Sequence, residues 1–181
     1  MHTSRDLFWK YGFKRVSIEE ICKEANVSKM TFYKFFPNKI ELAKAIFNSV
    51  VEDGEIRFKE IMQGSGSPAD KLKKVMLLKL EGTNNISPEF MQDFYMGREP
   101  ELKSYVEGRT REAWKELMDD YKKAQEDGVF RKDFNPELLI KVQYKMLELM
   151  EDKSITEQYN SQQEIIMEFA NLLVYGMLPH D

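Results

Sequence analysis

Apolar residues recur along the chain at three- and four-residue spacing, and alternating β-branched stretches are nearly absent, so the pattern predicts helix almost throughout. A first helix is expected over about residues 3–11, with Leu7, Phe8 and Tyr11 on one face. Gly12 is placed to end it in a left-handed conformation. The run "SIEE" that follows is a capping box in which Ser17 and Glu20 satisfy the first turn of a second helix. Ile18, Ile21, Cys22 and Ala25 form the buried stripe of that helix, and Asn26 suits a left-handed turn after it. Ser28 caps a short third helix that ends before Pro37. Asn38 and Glu41 open a long fourth, with Leu42, Ile46 and Val50 on one face and Gly54 as a point where it bends or loosens.

The stretch "QGSGSP", residues 63–68, is the clearest loop. Five further helices are expected near residues 69–81, 88–96, 99–127, 135–152 and 158–177. The breaks between them are "GTNNISP", "GREP", "DGVFRKDFNP" and "DKSITEQ". The predicted protein is all-α, with about nine helices in total. An N-terminal three-helix unit, residues 1–47, precedes a C-terminal helical bundle, residues 48–181.

Composition narrows the class. At 181 residues, 42% hydrophobic and 32% charged, the chain fits one compact soluble protein. No membrane-length apolar run and no secretory h-region occur, so a cytoplasmic protein without membrane association is expected. Cys22 is the single cysteine and sits at core spacing, while His2 and His180 read as end residues. Charge is uneven. Residues 1–48 hold nine basic and five acidic side chains, although the whole chain carries a net charge of −4. A basic front on an acidic body points to local contact with a polyanion, confined to that front.

Two short helices joined by a tight turn, the second basic and polar on one side, make a helix-turn-helix. Cys22 and Ala25 are the small residues that let the helices cross, and Asn26 sets the angle. Val27 and Phe32 are expected to anchor the second helix, with Phe36 behind them. The segment "DLFWKYGFKRVSIEEICKEANVSKMTFYKFFPNKIELAKAI", residues 6–46, resembles the DNA-binding domain of TetR-type transcriptional regulators. The likeness lies in LF and G around the end of the first helix, S-x-x-x-I opening the second, the small-residue turn before V-S, T-F-Y-x-x-F, and the K-x-x-L start of the fourth helix.

The resemblance implies that Lys29, Met30, Thr31, Tyr33 and Lys34 face the major groove, with Lys29 suited to guanine O6/N7 and Met30 to apolar contact such as a thymine methyl. Ser17 and Ser28 stand at helix N-termini that favour phosphate, and Lys39 matches a phosphate-gripping lysine. Phe35 departs from the pattern, since a polar-tipped ring is usual there. The lead into the first helix is also shorter than usual in the family: either the arm is absent or the sequence is truncated ahead of the first helix, so contacts by a minor-groove arm are not counted on.

The same resemblance implies a dimeric body with a small-molecule pocket. Read unaided, the last two long helices carry broad apolar faces, and two such pairs packed as a four-helix bundle would cover them. Leu139, Val142, Met146, Ile165, Phe169, Leu172, Leu173 and Gly176 are the expected dimer residues. A pocket for an apolar or aromatic effector is expected from Phe58, Met62, Met76, Leu80, Phe94, Tyr95, Trp114, Met118 and Tyr121, a set equally readable as core.

The expected function is a sequence-specific regulator: a homodimer on a palindromic double-stranded operator, with no cofactor or metal, and a repressor released by its effector. Two other readings stay open. One is a protein-interaction adaptor with a degenerate helix-turn-helix. The other is a helical-bundle enzyme, which the lack of HExxH, a nucleotide loop or an internal histidine disfavours.

Overall fold

The computed structural model describes residues 1–177; His180 therefore lies outside the described residues. Ten helices account for nearly all of the regular structure: α1 His2–Tyr11, α2 Ile18–Glu24, α3 Lys29–Phe35, α4 Lys39–Gln63, α5 Pro68–Gly82, α6 Pro88–Phe94, α7 Pro100–Glu126, α8 Pro136–Leu149, α9 Lys153–Thr156 and α10 Gln162–Met177. No strand occurs among the described residues. The all-α expectation holds, with one helix more than the nine expected. That extra helix is α9, inside the segment "DKSITEQ" read as a break. Asp152 makes it possible by accepting from the Ser154 N–H at 2.8 Å. The last helix starts at Gln162 rather than 158, because Ser161 caps it by accepting from Glu164 N at 3.2 Å. Gly54 does not interrupt α4.

The chain forms two compact units, with α4 and α7 contributing residues to both. The first comprises Met1–Val51 and Asn85–Thr110. Its core is aromatic: Phe8, Trp9, Phe13, Phe47, Phe90 and Phe94 are all buried. Phe90 and Phe94 stack with ring centroids 4.5 Å apart, and Trp9 lies 4.4 Å from Phe90. Thus α6 packs on α1, an association that the linear pattern does not announce.

The second unit comprises Glu52–Asn84 and Arg111–Asp181, of which 178–181 are not described. Here α5 packs on α10. Phe58, Tyr121 and Phe130 form a stack, with centroid separations of 5.1 Å and 5.4 Å. Leu72, Leu139, Val174 and Met177 close around it. Burial pushes the Tyr121 phenol well above the usual range. The buried Lys71 is held by donating to the Met62 carbonyl at 2.5 Å.

Candidate nucleic-acid interface

The helix-turn-helix is built from local signals. Ser17 Oγ accepts from Glu20 N at 3.2 Å, and Glu20 Oε2 accepts from Ser17 N at 2.7 Å, which completes the capping box. These bonds hold the Glu20 carboxyl below its ordinary range. Cys22 is buried where α2 meets α3. Asn26 takes φ 53° in the turn, the left-handed conformation its type tolerates. Val27 N donates to Cys22 O at 2.9 Å, but its side chain is 40% exposed and does not anchor the helix as expected. It lies in the turn ahead of the cap, where its backbone and not its side chain makes the connection. Phe32, 5% exposed, is the anchor, with Phe36 half-buried at 6.0 Å from it.

The expected contact residues fall into two sets. Met30, Tyr33 and Lys34 are exposed and offered outward. Lys29 and Thr31 are exposed too, but already engaged. Lys29 Nζ donates to Glu19 Oε1, which raises the lysine's pKa and lowers that of the glutamate. Thr31 Oγ1 lies 2.9 Å from Ser28 Oγ, and Ser28 also accepts from Thr31 N at 3.0 Å. Phe35 is 68% exposed, with the Lys34 ammonium 6.0 Å from its ring centroid.

Lys39 is arranged differently from an outstretched phosphate grip. Its Nζ donates to Phe13 O and to Val16 O, each at 2.7 Å, and lies 4.2 Å from the Phe13 ring centroid. Two of its three donors are therefore spent on the loop that leads into Ser17. Partial burial lowers its pKa.

The same loop is clasped from α6. Asp93, 1% exposed, accepts from Lys14 N at 2.8 Å through Oδ2. Arg98 Nε stands 3.7 Å from Asp93 Oδ1, and Lys14 Nζ donates to Arg98 O. Ser87 N donates to Trp9 O at 2.9 Å. Sequence reading missed Asp93 and Lys14, because nothing in "MQDFYM" marks which loop its aspartate meets.

The residues expected in the pocket and dimer face divide between core and surface. Phe94, fully buried, belongs with Tyr95 to the aromatic core of the first unit; burial raises the Tyr95 phenol to about 12. Phe58, Met62 and Tyr121 are core of the second unit, while Met76 and Trp114 pack partly buried against them. Met118 is half-buried, and Leu80 is 42% exposed. On the expected dimer face, Leu139 at 6% and Ile165 at 1% exposure are consumed inside the single chain. Val142, Met146, Phe169 and Leu173 are half-buried, and Leu172 and Gly176 are exposed. The buried stripe of α10 runs through Ile165, Ala170, Val174 and Met177, which turns Leu172 and Tyr175 outward.

A capped helix-turn-helix locked onto an aromatic core, with a groove-sized helix exposed, defines a DNA-binding regulator. Residues 1–46 match the family model of bacterial regulatory proteins of the tetR family. The chain is 24% identical over 174 residues to the HTH-type transcriptional regulator YdgC of Bacillus subtilis, covering 93% of this chain and 85% of that one. It is 20% identical over 137 residues to the HTH-type transcriptional repressor KstR2 of Mycobacterium tuberculosis, covering 74% and 68%. Its fold is that of the fatty acid degradation regulator FadR from Bacillus halodurans, with TM-score 0.68, 15% identity and 99% and 94% coverage. Residues 1–46 thus carry the DNA-binding domain of the tetR family of bacterial regulatory proteins. No helix among the described residues is long and apolar enough to cross a membrane.

Proposed function

We propose that the protein is a cytoplasmic, non-enzymatic repressor that binds a palindromic operator as a homodimer and is released by a small apolar or aromatic effector. Residues 1–47 make the DNA contacts, and residues 48–181 bind the effector and dimerise. The observation that carries this reading is the surface of α3, whose Met30, Tyr33 and Lys34 stand exposed while Phe32 holds the helix in place. Lys29 and Thr31 join them once DNA competes for their present partners. Ser17 and Ser28 stand at helix starts where N–H groups meet phosphate. Lys39 contributes mainly by fixing the loop ahead of Ser17.

The effector reading draws support from the second unit. Besides its aromatic stack, it holds three buried polar atoms without a hydrogen-bond partner, Arg131 Nε, Tyr144 Oη and Gln162 Oε1. Such atoms are costly unless something satisfies them. Effector binding favours a state in which the two recognition helices of the dimer no longer match successive major grooves, and the coupling equals the effector's difference in affinity for the two states.

The deciding experiment is a gel shift on palindromic duplexes from the promoter of the protein's own gene, with Lys29→Ala and Tyr33→Ala. Both variants are expected to lose discrimination between the palindrome and scrambled duplex. Unchanged discrimination in both removes α3 as the reading element.

A further inference from the structure

We propose that α3 reads thymine methyl groups of its operator, with Met30 as the side chain that contacts them. The inference rests on the DNA-binding reading above and goes beyond it by naming what the helix recognises.

Geometry places Met30 at the crest of the helix. Phe32 is the buried anchor, and a residue two positions away lies about 200° around the axis. Met30 therefore points almost directly away from the protein. It is 84% exposed, more than any other large apolar residue described. Tyr33, 53% exposed, stands about 60° to one side of it and Lys34 about 40° to the other, while Phe35, 68% exposed, lies about 140° round the axis. Large apolar side chains held outward side by side, as Met30 and Tyr33 are, mark an interaction surface.

Two polar side chains of the same helix are less available. Lys29 is paired with Glu19, and the Thr31 hydroxyl with Ser28. The apolar groups have no such internal outlet. Charge decides the class of occupant. Lys34 stands beside Phe35, and basic residues outnumber acidic ones nine to five in residues 1–48, so the apolar crest is set in a surface that attracts polyanion. Within a major groove, the apolar feature on the base edges is the C5-methyl of thymine. A thioether on a flexible, unbranched chain adapts to its position.

The test starts by selecting bound duplexes from a random library with the full chain. Each thymine of a selected duplex is then replaced by deoxyuridine, which deletes only the methyl group. One or two positions in each half-site are expected to weaken binding about fourfold each, the equivalent of one buried methyl. Met30→Ala is expected to abolish the thymine-uracil difference at one of them while leaving the melting temperature unchanged, as its exposure requires. If a duplex substituted throughout with uracil is bound as tightly as its thymine form, and still in preference to scrambled DNA, the methyl reading is wrong while DNA binding stands. If no duplex is enriched, the DNA-binding reading itself fails.

Discussion

Two lysines show how little a residue type says about its role until its neighbours are known. Both Lys29 and Lys39 match positions that meet DNA in the family, yet the free protein engages them in different ways. Lys29 is exposed and paired with an exposed glutamate, an arrangement that is weak and easily exchanged. Glu19 then acts as a competitor for the lysine. Glu19→Gln is expected to tighten operator binding about threefold, within the range that exposed pairs contribute. The gain should vanish in a Lys29→Ala background when both are measured by fluorescence anisotropy at fixed salt. Lys39 is half-buried and donates to two carbonyls. Lys39→Met should leave those carbonyls unsatisfied and cost about 2 kcal/mol of stability by urea unfolding. Its salt dependence of DNA binding should change by much less than that of Lys34→Ala, which is expected to lose about one counterion's worth of slope.

At the scale of elements, the turn after α1 carries a sharp constraint. Gly12 has φ 79° and ψ 164°, a combination open essentially to glycine, and not the left-handed helical conformation expected from its place after α1. A Cβ there would meet Glu89 Cβ at 2.8 Å and Asp93 Oδ2 at 2.9 Å. Backbone strain and the contact with α6 therefore act together. Gly12→Ala is expected to destabilise the protein by about 3 kcal/mol in chemical denaturation. Capped helices were readable beforehand because a cap is a local code: Ser17 with Glu20, Ser28 ahead of Lys29, and Asn38 ahead of Glu41 all act as their spacing announces. The association of α6 with α1 was not readable. It depends on which of many aromatic residues meet across more than seventy positions, and periodicity carries no information about that. Phe94 shows the consequence. Its spacing suits a pocket or a core equally, and only its neighbours Phe13 and Phe90 decide. The candidate DNA surface was more legible than the body, since it lies within one continuous stretch whose motif and exposed face coincide.

For the molecule as a whole, the unanswered surface is on the second unit. Leu138 is 57% exposed and Leu149 41% on α8, and Leu172 is 60% and Tyr175 68% exposed on α10. Leu138 and Leu149 are separated by about three turns, so they lie along one line of α8. Leu172 and Tyr175 lie one turn apart on α10, with Gly176 beside them and open space where its Cβ would be. Large apolar side chains left outward on two helices of one bundle are what a symmetric four-helix contact removes from water. A dimer formed through this face would differ from the sequence expectation, since Leu139 and Ile165 turn inward while Leu138, Leu172 and Tyr175 stand outward. Leu138→Asp with Leu172→Asp should therefore convert a dimer to monomer in sedimentation velocity at micromolar concentration. Each substitution places a charge against an apolar contact and should weaken association by about tenfold or more. Both sites are exposed, so helical content should be retained. Operator affinity should fall with the loss of dimer, because one recognition helix then meets only one half-site. A double variant that remains dimeric would place the subunit contact on another face.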